Sequence, residues 1–120
     1  MGMVKKTVTY EDFSGDSVTE TLYFKLNRTE LLEMDKAHGF KLDEYLGRLL
    51  AEKAHSEMTL FVKELLMKAY GEKDSDNRHF VKSEEMAERF AQSLAFDVLF
   101  ETLMDEEEAG AFVNGLMKID

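Results

Sequence analysis

Residues 4–30 read VKKTVTYEDFSGDSVTETLYFKLNRTE. Two runs rich in β-branched and aromatic residues, 4–10 and 17–26, flank EDFSGD, where Gly15 can supply a positive φ. In the second run Val18, Leu22, Phe24 and Leu26 share one face at a period of two, interrupted by Glu20. The pattern predicts an antiparallel hairpin over 4–26. A lone hairpin is marginal in water, so its apolar face needs the rest of the chain to pack on. Asn27 follows at once, with Glu30 three residues on. That is the spacing of a capping box, with Asn in the place of Ser or Thr, and it marks a change from strand to helix.

Downstream the apolar period is helical throughout. Leu31, Leu32 and Met34 form a short first helix that Gly39 ends. Leu42, Tyr45, Leu46, Leu49 and Leu50 define a second, slightly weakened by Gly47. A third opens at Ser56, carries Met58, Phe61, Val62, Leu65, Leu66 and Ala69, and is expected to stop at Gly71. Ser83 caps a fourth with Met86, Phe90 and Leu94 inward, and a fifth, with Phe96, Leu99, Phe100 and Leu103, is expected to continue from it or kink near Ser93. Asp105 to Glu108 lead a last helix with Phe112, Val113 and Leu116, their acids matched to the positive end of the helix dipole. The reading is α+β: an N-terminal β-hairpin followed by a mainly helical domain of about five or six helices. Residues 1–120 read as a single domain, hairpin 4–26 and helical part 27–117, with no repeat or linker.

The bulk numbers agree. Of 120 residues, 44% are hydrophobic and nine are Phe, enough for a real core, while the formal net charge is −10. That charge repels phosphates, so neither nucleic acid nor an anionic membrane is an expected partner. Zero Cys removes disulfides, thiolate metal sites and cysteine nucleophiles. No apolar run reaches bilayer-spanning length. Met1-Gly2 reads as an added dipeptide, with Met3 as the natural start.

One stretch nearly spells a calcium loop. In YGEKDSDNRHFVKSEE, residues 70–85, Asp74, Asp76 and Glu85 take the first, third and twelfth places of an EF-hand. The fifth place is the cation Arg78, however, and the sixth, which needs Gly, is His79. The better reading is a polar connection: Gly71 stops one helix, Asp74 to Asn77 turn, and Phe80 and Val81 return to the core. His38, His55 and His79 make no zinc spacing, and no serine lies in an elbow or P-loop context. No catalytic residue, cofactor or metal is expected. Most of the methionines read as core filler, but Met117 follows Leu116 at the end of the last helix, and Met suits adaptable grooves. Phe112, Val113, Leu116 and Met117 are therefore the candidate partner-binding residues, against the alternative that the first three only close the core.

Taken in order, VTYEDFSG (8–15), TLYFKLNRTELLEM (21–34) and LLMKAYGEKDSDNRHFVKSEEMAERFAQSLAFDVLFETLMDEEEAGAFVNGLM (65–117) resemble the small tail assembly chaperones of long-tailed phages and prophages of Gram-positive bacteria. The most specific pieces are Tyr70-Gly71-Glu72-Lys73, the FVKSE of 80–84 and the ending Phe112-Val113-Asn114-Gly115. The similarity is weakest from Ala37 to Ser56, and the final LMKID departs from the usual ending. The resemblance implies a non-enzymatic protein of the host bacterial cytoplasm, absent from the mature virion, that binds the tape-measure protein and, beyond it, tail-tube subunits. Self-association stays open, as does a longer frameshifted form. The alternative is a structural tail or head-completion subunit retained in the virion, whose hairpin adds a strand to a neighbouring sheet.

Overall fold

The computed structural model describes residues 3–117; the reading of Met1-Gly2 as an addition, and the chain after Met117, lie outside them. β1 (Met3–Glu11) and β2 (Ser17–Lys25) pair antiparallel in register from Met3↔Lys25 to Glu11↔Ser17. Asp12 builds the turn: its Oδ1 accepts the backbone N–H of Ser14 and of Asp16, both at 2.9 Å, and Gly15 takes φ 87°. The two faces divide by the period of two. Thr7–Thr21 and Thr9–Thr19 hydroxyl pairs lie on the outer face, and Val8, Leu22 and Phe24 are buried on the inner one. Glu20, the interruption on the inner face, accepts the hydroxyl proton of Tyr10.

The capping box forms as its spacing predicts. Asn27 Oδ1 accepts the Glu30 N–H at 2.8 Å, Glu30 Oε1 accepts the Asn27 N–H at 3.0 Å, and α1 (Arg28–His38) begins. Gly39 closes it at φ 75°. α2 (Leu42–Ala51) buries Leu42, Leu46 and Leu49. α3 spans His55–Ala69, so it starts at His55, with Ala54 and not a serine at its cap.

The structure departs most from the expected layout after α3. The helix stops at Ala69, and Tyr70–Lys73 is a strand, β3, hydrogen-bonded to β2 through Tyr23↔Gly71 and Phe24↔Tyr70. Phe80–Val81 forms β4 and pairs with β3, giving a four-stranded sheet in the order β1-β2-β3-β4. Gly71 is therefore no helix stop. A Cβ there would lie 2.6 Å from the Phe80 ring and 2.7 Å from the Val81 carbonyl oxygen, so glycine is needed because two strands close over it. Phe80 is half-buried, and Val81 faces solvent instead of returning to the core.

Ser83 caps α4 (Glu84–Ala91) by accepting from the Met86 N–H. The chain then breaks cleanly. Ser93 Oγ donates to the Phe90 carbonyl at 2.6 Å and accepts from the Phe96 N–H at 3.1 Å, starting α5 (Leu94–Leu103) as a separate helix. α6 (Glu106–Met117) completes six helices among the described residues. One contiguous core joins the inner face of the hairpin to all the helices except α4's outer side, with Phe24, Leu65, Leu66, Leu103 and Leu116 at zero exposure.

Three outcomes follow. Gly71→Ala should lose about 1–3 kcal/mol in chemical denaturation, because neither Phe80 nor the β4 backbone can yield without moving. Gly47→Ala, on the exposed side of α2 where an added Cβ meets nothing within 4 Å, should gain about 0.5–1 kcal/mol. The third concerns Tyr70, which stacks on Phe90 at 4.0 Å and donates to Glu72. Burial, then that hydrogen bond, pushes its phenol up from 10.0 to about 12. The folded state therefore holds a proton that the unfolded chain has released over this window. Stability from this group is full below pH 10 and falls as pH rises toward about 12. Tyr70→Phe should flatten that alkaline slope in denaturation midpoints measured across the window.

Candidate functional site

The loop between β3 and β4 brings Asp74, Asp76 and His79 together, with one ligand atom of each within 4.8 Å of the others. Their oxygens are already engaged in turning the chain. Asp74 Oδ1 accepts the N–H groups of Arg78 at 3.3 Å and His79 at 3.2 Å, and Asp74 Oδ2 faces His79 Nδ1 at 2.6 Å. Asp76 Oδ1 accepts the Arg78 N–H at 2.9 Å, and Asn77 adopts φ 62°. Hydrogen bonding to Asp76 first, then to the His79 and Arg78 groups, holds the Asp74 carboxyl below its usual value. Glu85, the twelfth-place acid of the calcium reading, does not join them: it lies in the first turn of α4 and pairs with Arg89 at 3.0 Å. The motif is a side-chain-stapled turn of a β-ribbon. Of the other histidines, His38 stacks on Tyr45 at 4.4 Å and meets Glu64 at 3.0 Å, which makes it a packing residue between α1, α2 and α3.

A cavity of about 130 Å³ opens between the inner sheet face and α4, lined by Glu20, Tyr70, Glu72, Arg89 and Phe90 among others. Each of its carboxylates is met by a tyrosine hydroxyl, Glu20 by Tyr10 and Glu72 by Tyr70. The pairing fixes the two tyrosines; it sets no base beside a nucleophile.

The partner-binding candidates divide. Phe112, Val113 and Leu116 are 2%, 1% and 0% exposed, packed in the core, so as they stand they present no surface to a partner. Their α6 stripe is filled by β1 and α2, which need that apolar face themselves. Met117 alone of the four reaches a surface groove, a cavity of about 350 Å³ lined by Arg28, Leu31, Leu32, Asp35, Lys41 and Met117. The other three do not line it. The direction of α6 sets the place of this groove. Glu108 meets Lys6 at 3.6 Å, and seven residues later Gly115 lies so close to Val4 that a Cβ would sit 2.8 Å from its Cγ2. α6 thus runs antiparallel to β1 and delivers Met117 to the open base of the hairpin, where α1 starts.

Two apolar residues of the surface escape a reading by periodicity. Leu32 is 61% exposed over the groove, because its neighbour Leu31 takes the buried position of α1. Phe13 is 95% exposed at the hairpin tip. Its signal was present in the sequence as a bulky aromatic inside an Asp- and Gly-rich turn that does not need one. Leu60, 68% exposed on α3, and Phe40, under the Arg48 guanidinium at 5.1 Å, complete the larger exposed apolar groups with Val81.

Among the described residues no helix is long and apolar enough to cross a membrane. No curated protein and no solved structure matches this chain significantly. A family model described as phage tail assembly chaperone matches residues 3–120, covering the hairpin, the β3–β4 ribbon and every helix. The chain therefore belongs to the phage tail assembly chaperone family.

Proposed function

We propose that this chaperone acts without catalysis in the host bacterial cytoplasm, binding the tape-measure protein during tail morphogenesis and contacting tail-tube subunits as assembly proceeds. The observation that carries the reading is the groove at the hairpin base. Leu31, Leu32 and Met117 give it an apolar floor and lip, and Arg28 and Lys41 give it a cationic rim. An amphipathic helical segment seats in such a groove through apolar anchors spaced along one face. Met117 adapts to varied side chains, as a chaperone of a long, non-uniform polymer requires. The formal charge of −10 keeps the complex dissolved while apolar surface is in use. Phe112, Val113 and Leu116 belong to the site as the buried layer that fixes where Met117 stands.

A second reading has an observation of its own. β1 is the end strand of the sheet, nine residues long and free of proline, and an edge of this kind accepts an added strand. It favours a structural tail or head-completion subunit that stays in the particle. Mass spectrometry of purified virions separates the two: the chaperone is absent from them and the structural subunit is present.

Met117→Asp places a charge on the groove lip; because Met117 is half-buried and packs against the core, circular dichroism and the thermal midpoint are measured beside it, and Leu32→Asp, at an exposed position of the same groove, serves as a second variant. Co-expressed with the tape-measure protein, either variant should reduce captured soluble tape-measure roughly 5–30-fold, the equivalent of about 1–2 kcal/mol at one apolar anchor. Unchanged capture would remove the groove from the function.

A further inference from the structure

We propose that the cavity between the inner sheet face and α4 is a socket for an arginine side chain presented by a partner polypeptide. The residue that calls for it is Glu20, the acid that interrupts the inner face of β2 between Val18 and Leu22. The β2–β3 register puts Glu72 beside Leu22 on that same face. Glu20 and Glu72 are therefore diagonal neighbours on adjacent strands, about 7–8 Å apart at the backbone. Side chains of their length can converge on one guest, and both line the cavity.

Their charges are unanswered. Each carboxylate accepts one tyrosine hydroxyl, Glu20 from Tyr10 and Glu72 from Tyr70, which leaves most of its acceptor positions open. Among the described residues neither has a salt-bridge partner. Arg89 also lines the cavity, but its guanidinium pairs with Glu85 at 3.0 Å and its side chain is 75% exposed. After burial and the hydrogen bond, the charge of Glu72 and then that of Glu20 add to the upward push on the Tyr70 phenol, so both acids act on one place. Two like charges held together in a half-covered site repel, and a cation between them relieves both.

The remaining walls select the kind of cation. Tyr70 and Phe90, stacked at 4.0 Å and 10°, make a flat aromatic side, and Met86 adds a soft apolar one. A guanidinium is planar, carries five N–H donors, is more weakly hydrated than an ammonium and lies well against aromatic faces. The cavity holds about 130 Å³, close to the roughly 150 Å³ that admits a benzene molecule. That is room for the end of a side chain and not for a whole free amino acid, so the guanidinium comes attached to a chain that stays outside. The cavity shares no lining residue with the groove at the hairpin base, and the assignment does not rest on the function proposed above.

The test is a heteronuclear NMR titration of the full chain with three probes: a blocked Gly-Gly-Arg-Gly-Gly peptide, the same peptide with uncharged citrulline for arginine, and free arginine. The arginine peptide should shift the amides of Glu20, Tyr70 and Glu72 saturably, and the citrulline peptide should leave them in place. Glu20→Gln and Glu72→Gln keep an acceptor for each tyrosine, so thermal midpoints should stay near wild type while each variant weakens binding about 5-fold or more. Absence of saturable shifts at those amides overturns the proposal, as do equal shifts from the citrulline peptide or unchanged affinity in both variants. Tighter binding of free arginine than of the peptide overturns it by assigning the cavity to a small molecule. Binding that appears only in Arg89→Ala overturns it as well, because the socket then belongs to the chain's own arginine.

Discussion

Phe24 is the point at which the hairpin becomes part of a domain. Its ring is fully buried, with centroids 5.9 Å from Tyr70, 5.7 Å from Phe90 and 5.3 Å from Phe112. Those three residues come from β3, α4 and α6, so one side chain of β2 holds three later segments in place. Tilted and edge-on rings at these separations are the favoured geometries for aromatic pairs. The same residue is opposite Tyr70 in the β2–β3 register, so backbone pairing and ring packing agree. Without that contact the two N-terminal strands would have little to pack on.

A polar clasp works beside the aromatic one. The half-buried Lys82 ammonium donates to the carbonyl of Lys25 at 2.9 Å and that of Lys68 at 3.1 Å, and it pairs with Glu30 Oε1. That oxygen also accepts the Asn27 N–H of the capping box. One cation therefore joins the end of β2, the start of α1 and the last turn of α3. Charge-assisted bonds of this kind are stronger than neutral ones, and partial shielding from water strengthens them further. The clasp fixes the hairpin base, where the groove of Arg28, Leu32 and Met117 lies. Membership of the tail assembly chaperone family and an apolar groove on a rigid base fit together, because a holder of other polypeptides needs a surface that does not itself collapse.

The sequence by itself determined the local structure, because the residues responsible for it are neighbours in the chain. The period of two over 17–26, the Asn27–Glu30 box, the Gly39 stop and the Ser83 cap each appear where their chemistry puts them. Tertiary structure decided the rest. β3 and β4 are too short to show a period, and YGEK becomes a strand only because Phe24 and Tyr23 offer an edge to it. Ser93 could have sat within a long helix or opened a new one; packing of Phe90 against Phe96 at 5.2 Å accompanies the break. Of the residues lining the candidate groove, only Met117 was legible as a candidate in the sequence. Periodicity marks Phe112, Val113 and Leu116 as apolar but cannot tell a core stripe from a binding stripe, since both have the same spacing. Which apolar face meets the protein and which meets solvent depends on contacts such as Val4 with Gly115, more than a hundred residues apart, and distance along the chain hides these from any local pattern.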